Sequence, residues 1–157
     1  MRVIVTGGGG FIGSNLVDLL LKEKKIKKII IIDIFNLGLR NINHLKKNKK
    51  VKIVKKDINN IKASDTNFKN IDCVFHLAAL ADIVPSINDP QLYFSTNVQG
   101  TLNILKASQN NSIKKIVYAA SASCYGIPKK FPTDENSIIS LQYPYALTKK
   151  LGEDLLI

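Results

Sequence analysis

Five short runs rich in valine and isoleucine recur along the 157 residues, and longer stretches of mixed polarity separate them. The runs are Arg2–Val5, Lys28–Ile32, Val51–Val54, Cys73–Leu77 and Lys115–Ala120. They are mostly apolar on both faces, as strands buried from both sides in a parallel sheet should be. Parallel neighbours need long crossover connections, usually helical, so the alternation predicts an α/β fold with at least five parallel strands under helices. A first helix is expected over Ile12–Lys24, with Ile12, Leu16, Leu19 and Leu20 on one face. A second should start near Asp89-Pro90, with Pro90 at its first position, and run to about Asn110 carrying Leu92, Val98, Leu102 and Leu105. A third should begin around Tyr143 to Tyr145 and continue to the last residue. Leu147, Leu151 and Leu155 recur in it every four residues, and neither a capping glycine nor a lysine-rich last turn closes it. The chain is thus expected to be one domain, 1–157, ending inside a helix.

Composition narrows the class. Hydrophobic residues make up 45% and charged residues 22%, ordinary for a soluble globular chain. No stretch approaches the roughly 20 uninterrupted apolar residues that span a bilayer. The opening Met1 to Gly7 runs straight into a strand and a glycine loop, with no apolar signal region. Cys73 and Cys124 show neither metal spacing nor a paired framework, so no metal site and a reducing, cytoplasmic location are expected. The formal charge of +11 sits mainly in Lys22 to Lys28 and Lys46 to Lys56. Only Arg2 and Arg40 are arginines, and no aromatic stands among the lysines as a stacking platform, which argues against nucleic acid. Solvated helix ends and loops account for the lysines, with a weak pull on anionic ligands as the other reading.

Thr6-Gly7-Gly8-Gly9-Gly10-Phe11-Ile12-Gly13 follows the first strand and opens the first helix, with Gly7, Gly10 and Gly13 at a G-x-x-G-x-x-G spacing. Such a loop turns sharply, lets backbone approach a pyrophosphate, and aims helix N–H groups at it. A plain tight turn would use the same glycines. Asp33 lies 20 residues beyond Gly13 at the end of the second strand, where a dinucleotide fold places the acid that bonds a ribose. A carboxylate there repels a 2′-phosphate and favours NAD over NADP, although Arg40 is close in sequence; a turn-forming aspartate is the alternative. Tyr145 and Lys149 are four residues apart, one turn of a helix. A phenol with an ordinary pKa of about 10 is a poor base at neutral pH, and a nearby cation lowers that value. Ser121, directly after the fifth strand, lies where open α/β sheets bind ligands, and its hydroxyl can donate to a substrate oxygen; a strand-end cap is the bland reading. Ser123 is a weaker candidate of the same kind.

The pieces TGGGGFIGSNL, IIDIFNLG, KKDINN, VFHLAALADIVPS, NVQGTLNIL, YAASASCYG and YPYALTK span the whole chain. In that order and spacing, the sequence resembles the extended short-chain dehydrogenase/reductase family, the NAD-dependent nucleotide-sugar epimerases and dehydratases. The resemblance implies a Rossmann-type three-layer fold and NAD as cofactor. It implies that Phe11 and Ile12 flank the pyrophosphate, that Asp33 holds the adenosine ribose, and that Asp57 and Ile58 meet the adenine. Leu77, Ala78, Ala79 and Ala81 would line the fourth-strand turn, with Asn97 a buried amide near the cofactor. Tyr145 is similar to the family's base, Lys149 to its cofactor-binding lysine, Ser121 to its serine or threonine, and Ser86 to a serine near the substrate in some members. His76 reads as a strand-end residue. Dehydratases and some decarboxylases of the family carry an acid after the hydroxyl, where this chain has Ala122-Ser123. The stretch AASASCYG looks most like epimerases of UDP-glucose, UDP-N-acetylglucosamine or their uronic acids. Family members continue past the Tyr-Lys helix into a C-terminal domain that grips the sugar, so the resemblance makes this chain the NAD-binding half, lacking the substrate domain. A homodimer is implied for the complete protein. A dehydratase or UDP-glucuronate decarboxylase, and an inactive NAD-binding fragment, are the competing readings.

Overall fold

The computed structural model describes every residue except Leu37, Lys129 and Ile157. Five parallel strands form one sheet: β1 (Arg2–Thr6), β2 (Lys28–Asp33), β3 (Val51–Lys55), β4 (Cys73–His76) and β5 (Lys115–Tyr118), in the order β3-β2-β1-β4-β5. Period-two alternation feeds two cores. Ile4, Ile30, Ile32 and Val74 face one helical layer with Ile104 and Phe68, while Val3, Val5, Ile29 and Ile31 face the other with Val17 and Leu45. Burial on both faces is why these strands read as continuous apolar runs. The chain winds outward from β1 to β3, then returns to place β4 on β1's other side. The carboxyl ends of β1 and β4 therefore diverge into the crevice where such sheets take ligands.

α1 (Phe11–Lys22) connects β1 to β2, and the chain then passes through β3 and β4. A short helix not expected from the sequence, α2 (Ile83–Asn88), precedes α3 (Pro90–Phe94). Asp89 caps α3, accepting the Leu92 N–H at 3.0 Å, and Pro90 is its first residue. α3 runs through one widened π-helical turn, Ser95–Gln99, into α4 (Gly100–Asn110). The expected long helix therefore exists, with one turn out of register. α5 (Pro144–Asp154) follows β5; its helical run ends at Asp154, and Ile157, to which the expected helix extended, lies outside the described residues.

The apolar stripes expected on the helices are not their buried faces. In α1 the fully covered residues are Gly13, Ser14 and Val17; Leu16 and Leu20 pack partly, and Ile12 and Leu19 are exposed. In α5 Ala146, Thr148, Lys149 and Gly152 are buried while Leu147 and Leu155 are exposed. From the π turn to α4, Asn97, Gly100, Thr101, Ile104 and Ala107 face inward, and Leu92 on α3 is exposed. The reason is close approach: near the site these helices press small and polar side chains against their neighbours, and bulky ones do not fit there.

Candidate active site and dinucleotide cleft

The glycine loop is shaped by contacts that a side chain would forbid. Gly7 has φ +68° and donates its N–H to the Ile32 carbonyl at 2.9 Å; a Cβ there would lie 2.7 Å from the Ala78 nitrogen. A Cβ on Gly13 would be driven into the Gly7 carbonyl oxygen, so only glycine lets α1 sit this close to the loop. Gly10 caps α1 with no side-chain bond, leaving first-turn N–H groups directed outward as an anion-binding end. Phe11 and Ile12, at that mouth, are 81% and 67% exposed.

Asp33 ends β2 with its carboxylate fixed by main chain. Oδ2 accepts the Gly9 N–H at 2.9 Å and Oδ1 the Phe35 N–H at 2.7 Å. Each oxygen keeps a second lone pair for an incoming hydroxyl. Arg40 makes no ion pair with it among the described residues. Gly7, Gly10, Asp33, Asp57, Ile58, Leu77, Ala78 and Ala79 together line a cleft of about 190 Å³ at the strands' carboxyl ends. Lys56, Ile34, Leu80 and Thr96 also line it and were not singled out from the sequence; adjacency to a strand end or to the Asn97 turn was their only signal. Asp57 caps a short turn through the Asn59 N–H at 2.8 Å, and the Ile58 side chain is buried. Ala81 lies outside the cleft lining, its carbonyl accepting the Tyr93 hydroxyl.

Asn97 is buried within the π turn and spends its amide on protein. Oδ1 accepts the Leu80 N–H at 2.8 Å; Nδ2 donates to the Leu80 carbonyl at 3.0 Å and to the Thr148 hydroxyl at 3.1 Å. It clamps the β4 turn to α5. His76 is fully buried between the hydroxyls of Thr6 (2.6 Å) and Thr101 (3.0 Å), and burial, reinforced by the Lys149 charge, pushes its pKa down to about 3. It is a neutral strut at the strand end.

Tyr145 and Lys149 lie one turn apart on α5. The Tyr145 N–H donates to the Ser86 hydroxyl at 3.1 Å, and that hydroxyl donates to the Ile83 carbonyl at 2.6 Å. Ser86 is wholly buried, so here it anchors the helix that carries Tyr145 and presents no surface to a ligand. The Tyr145 ring meets the Tyr93 ring edge-on at 6.3 Å. Lys149 is 4% exposed, and its ammonium has no hydrogen-bond acceptor among the described residues. Burial pulls its pKa down to about 8. Ser121 ends the β5 segment, its Oγ 2.7 Å from that of Ser123 and accepting the Ser123 N–H at 3.3 Å. This turn packs on α5 through the Cys124 thiol, 3.5 Å from the Ala146 carbonyl oxygen. The fold thus brings Ser121, Ser123, Tyr145 and Lys149 to adjoining elements at the strands' carboxyl ends. Among the described residues there is no cluster of three or more His, Cys, Asp or Glu, and no helix is long and apolar enough to cross a membrane.

A glycine cradle, a strand-end acid and a phenol–ammonium helix on a doubly wound sheet define the class of NAD-dependent nucleotide-sugar epimerases and dehydratases. The model of the GDP-mannose 4,6 dehydratase family matches residues 4–157, and the chain belongs to that family. It is 38% identical to the UDP-glucuronate 4-epimerase of Thermodesulfobacterium geofontis, covering 98% of this chain and 49% of that one. The structure of a UDP-N-acetylglucosamine 4-epimerase from Methanobrevibacter ruminantium, solved with UDP-N-acetylmuramic acid, superposes with TM-score 0.90 at 35% identity over 99% of this chain and 49% of its own. That of the UDP-glucuronic acid 4-epimerase of Bacillus cereus, solved with UDP-glucuronic acid and NAD, gives 0.90 at 33% over 99% and 51%. The chain spans about half the length of the curated relatives it matches.

Proposed function

We propose that this chain is the NAD-binding half of a UDP-sugar 4-epimerase, acting through a transient 4-keto sugar. The observation that carries the reading is Lys149, a residue 4% exposed whose ammonium has no acceptor among the described residues, one turn from Tyr145. A largely covered cation with no protein acceptor is suited to holding a ligand. The residues present fit NAD: the Gly7–Gly13 loop leaves room only for backbone against a pyrophosphate, Asp33 keeps lone pairs for a ribose, and Lys149 lacks an acceptor that ribose hydroxyls would supply. When bound, NAD accepts a hydride from the sugar's C4 and returns it. Tyr145 acts as the base that takes the proton of the 4-hydroxyl, and Ser121 donates to the same oxygen. Tyr145 would return the proton to O4 of the keto sugar, and a hydride given back at the other face of C4 would leave no net oxidation. Ser123, bonded to Ser121, orients that hydroxyl.

Absence of an acid in the Ser121–Tyr125 turn supports epimerisation over elimination of water. The second reading, a 4,6-dehydratase or UDP-glucuronate decarboxylase, is favoured by the description of the matching family. Products separate the two: UDP-galactose from UDP-glucose or UDP-galacturonate from UDP-glucuronate for an epimerase, a 4-keto-6-deoxy sugar or a pentose for the others. The complete protein is read as a homodimer in a reducing cytoplasm, with Cys73 and Cys124 unpaired. Isothermal titration of NAD onto this chain should give weak binding with little or no epimerisation. Full activity of the 157 residues, or no binding at all, would overturn the assignment as the cofactor half.

A further inference from the structure

Tyr118, at the end of β5, was not among the residues marked by the sequence, yet it is what the buried ammonium touches. The Lys149 Nζ lies 4.1 Å from the centroid of its ring. We infer that Tyr118 is a positioning residue whose ring face seats the Lys149 ammonium beside Tyr145, an inference that rests on the catalytic reading of that pair. A π face attracts a cation without accepting any of its N–H bonds. A carboxylate in the same place would neutralise the charge and occupy its donors. The ring holds the ammonium still, charged, and with its donors directed to an incoming ligand.

The seat is itself built to stay put. The Tyr118 hydroxyl donates to the Lys149 carbonyl at 3.3 Å, so the residue braces both the backbone and the charge of the same lysine. Gly152, one turn on, makes room: a Cβ there would collide with the Tyr118 hydroxyl. On its inner side the ring stacks at a tilt of 42° on His76, 5.7 Å between centroids. His76 cannot rotate. Thr6 Oγ1 accepts the Leu77 and Ala78 N–H groups at 3.2 Å, so its own proton goes to His76 Nδ1. The Thr101 hydroxyl donates to the Asn97 carbonyl at 2.6 Å, so it accepts from His76 Nε2–H. One proton count therefore fixes the tautomer, and a rigid series runs from β1 through His76 and Tyr118 to the ammonium.

Proton and carbon NMR of the lysine ε-methylene, followed with pH on this chain, tests the inference. In the wild type the Lys149 ε-protons should be displaced upfield by the ring current of Tyr118. Tyr118→Phe, which keeps the ring, should leave that displacement and the titration of Lys149 unchanged. Tyr118→Leu should abolish the displacement and weaken the ammonium's proton affinity about tenfold. The other titratable groups facing the lysine, His76, Cys124 and Glu153, are present in the Tyr118 variants. A wild-type spectrum without the displacement overturns the inference. So does a Tyr118→Leu chain that loses Tm but keeps the Lys149 titration, the mark of mere packing. Should Tyr118→Leu fail to fold, the wild-type displacement and the Tyr118→Phe titration decide. Lys149→Met separates the two layers of the argument. If it binds NAD as tightly as the wild type, the reading of Lys149 as a cofactor-holding cation falls. If it weakens NAD and Tyr118→Leu leaves the Lys149 titration unchanged, only the seat falls.

Discussion

At the end of β2, the Asp33 carboxylate receives backbone N–H bonds on both oxygens; on α5, the Lys149 ammonium faces an aromatic ring and finds no acceptor among the described residues. Both charges belong to the same candidate site, but they are held under opposite terms. A carboxylate satisfied by main chain is set in place by folding and recognises by shape. A lysine largely withdrawn from water, its ammonium without a protein acceptor, weakens the folded state and keeps its bonding capacity for something that arrives later. One end is scaffold, and the other is where chemistry is to be expected.

Five experiments would break or sharpen that contrast. In the complete protein Tyr145→Phe should lower kcat about a thousandfold with NAD still bound; survival of turnover would remove the phenol from the base's role. Gly7→Ala should cost about 3 kcal/mol in urea unfolding, because it adds a Cβ against Ala78 at a left-handed φ; a loss under 1 kcal/mol would mean that the loop is free to move. Lys149→Met should instead stabilise this chain, on the order of 2 kcal/mol at pH 7, by removing an uncompensated charge. The same charge gives a pH signature. With the folded pKa near 8 and the ordinary value 10.5, the folded state binds fewer protons than the unfolded one in that window, so wild-type stability should rise as pH climbs from about 8 to 10.5. A flat profile, or a destabilised Lys149→Met, would show that the ammonium is satisfied after all. Asp33→Asn should weaken NAD about tenfold and narrow its advantage over NADP, read by titration, while leaving Tm within a few degrees.

The strands were legible because burial on both faces leaves a signature that β-branched residues carry almost alone. All five runs became strands, within three residues of their expected ends. Glycine spacing, Asp33 and the Tyr145–Lys149 interval were legible for another reason: each depends on a distance along the chain that the local element preserves. Helix faces were not. Hydrophobic periodicity marked Ile12, Leu19, Leu147 and Leu155, whereas the covered positions are Gly13, Ser14, Ala146, Thr148 and Gly152. Where two elements must approach closely, the smallest side chain wins, and an apolar moment points elsewhere. Nor could the sequence say that Ser86 caps Tyr145's helix, that Asn97 spends its amide on Leu80 and Thr148, or that Tyr118 lies under Lys149. Those partners are 59, 17, 51 and 31 residues apart, and only the closed sheet brings them together.

The π turn at Ser95–Gln99 has a consequence for how such a chain can vary. It carries one more residue per turn than an α-helix, and Asn97 reaches Leu80 from inside it. Deleting any one residue of the five would let the helix close into regular winding and rotate everything upstream by about 100° against α4, carrying the Tyr93 bond to Ala81 out of reach. Length in this stretch is therefore fixed to the single residue, and an insertion or deletion that a surface loop would absorb should be lethal to the site here.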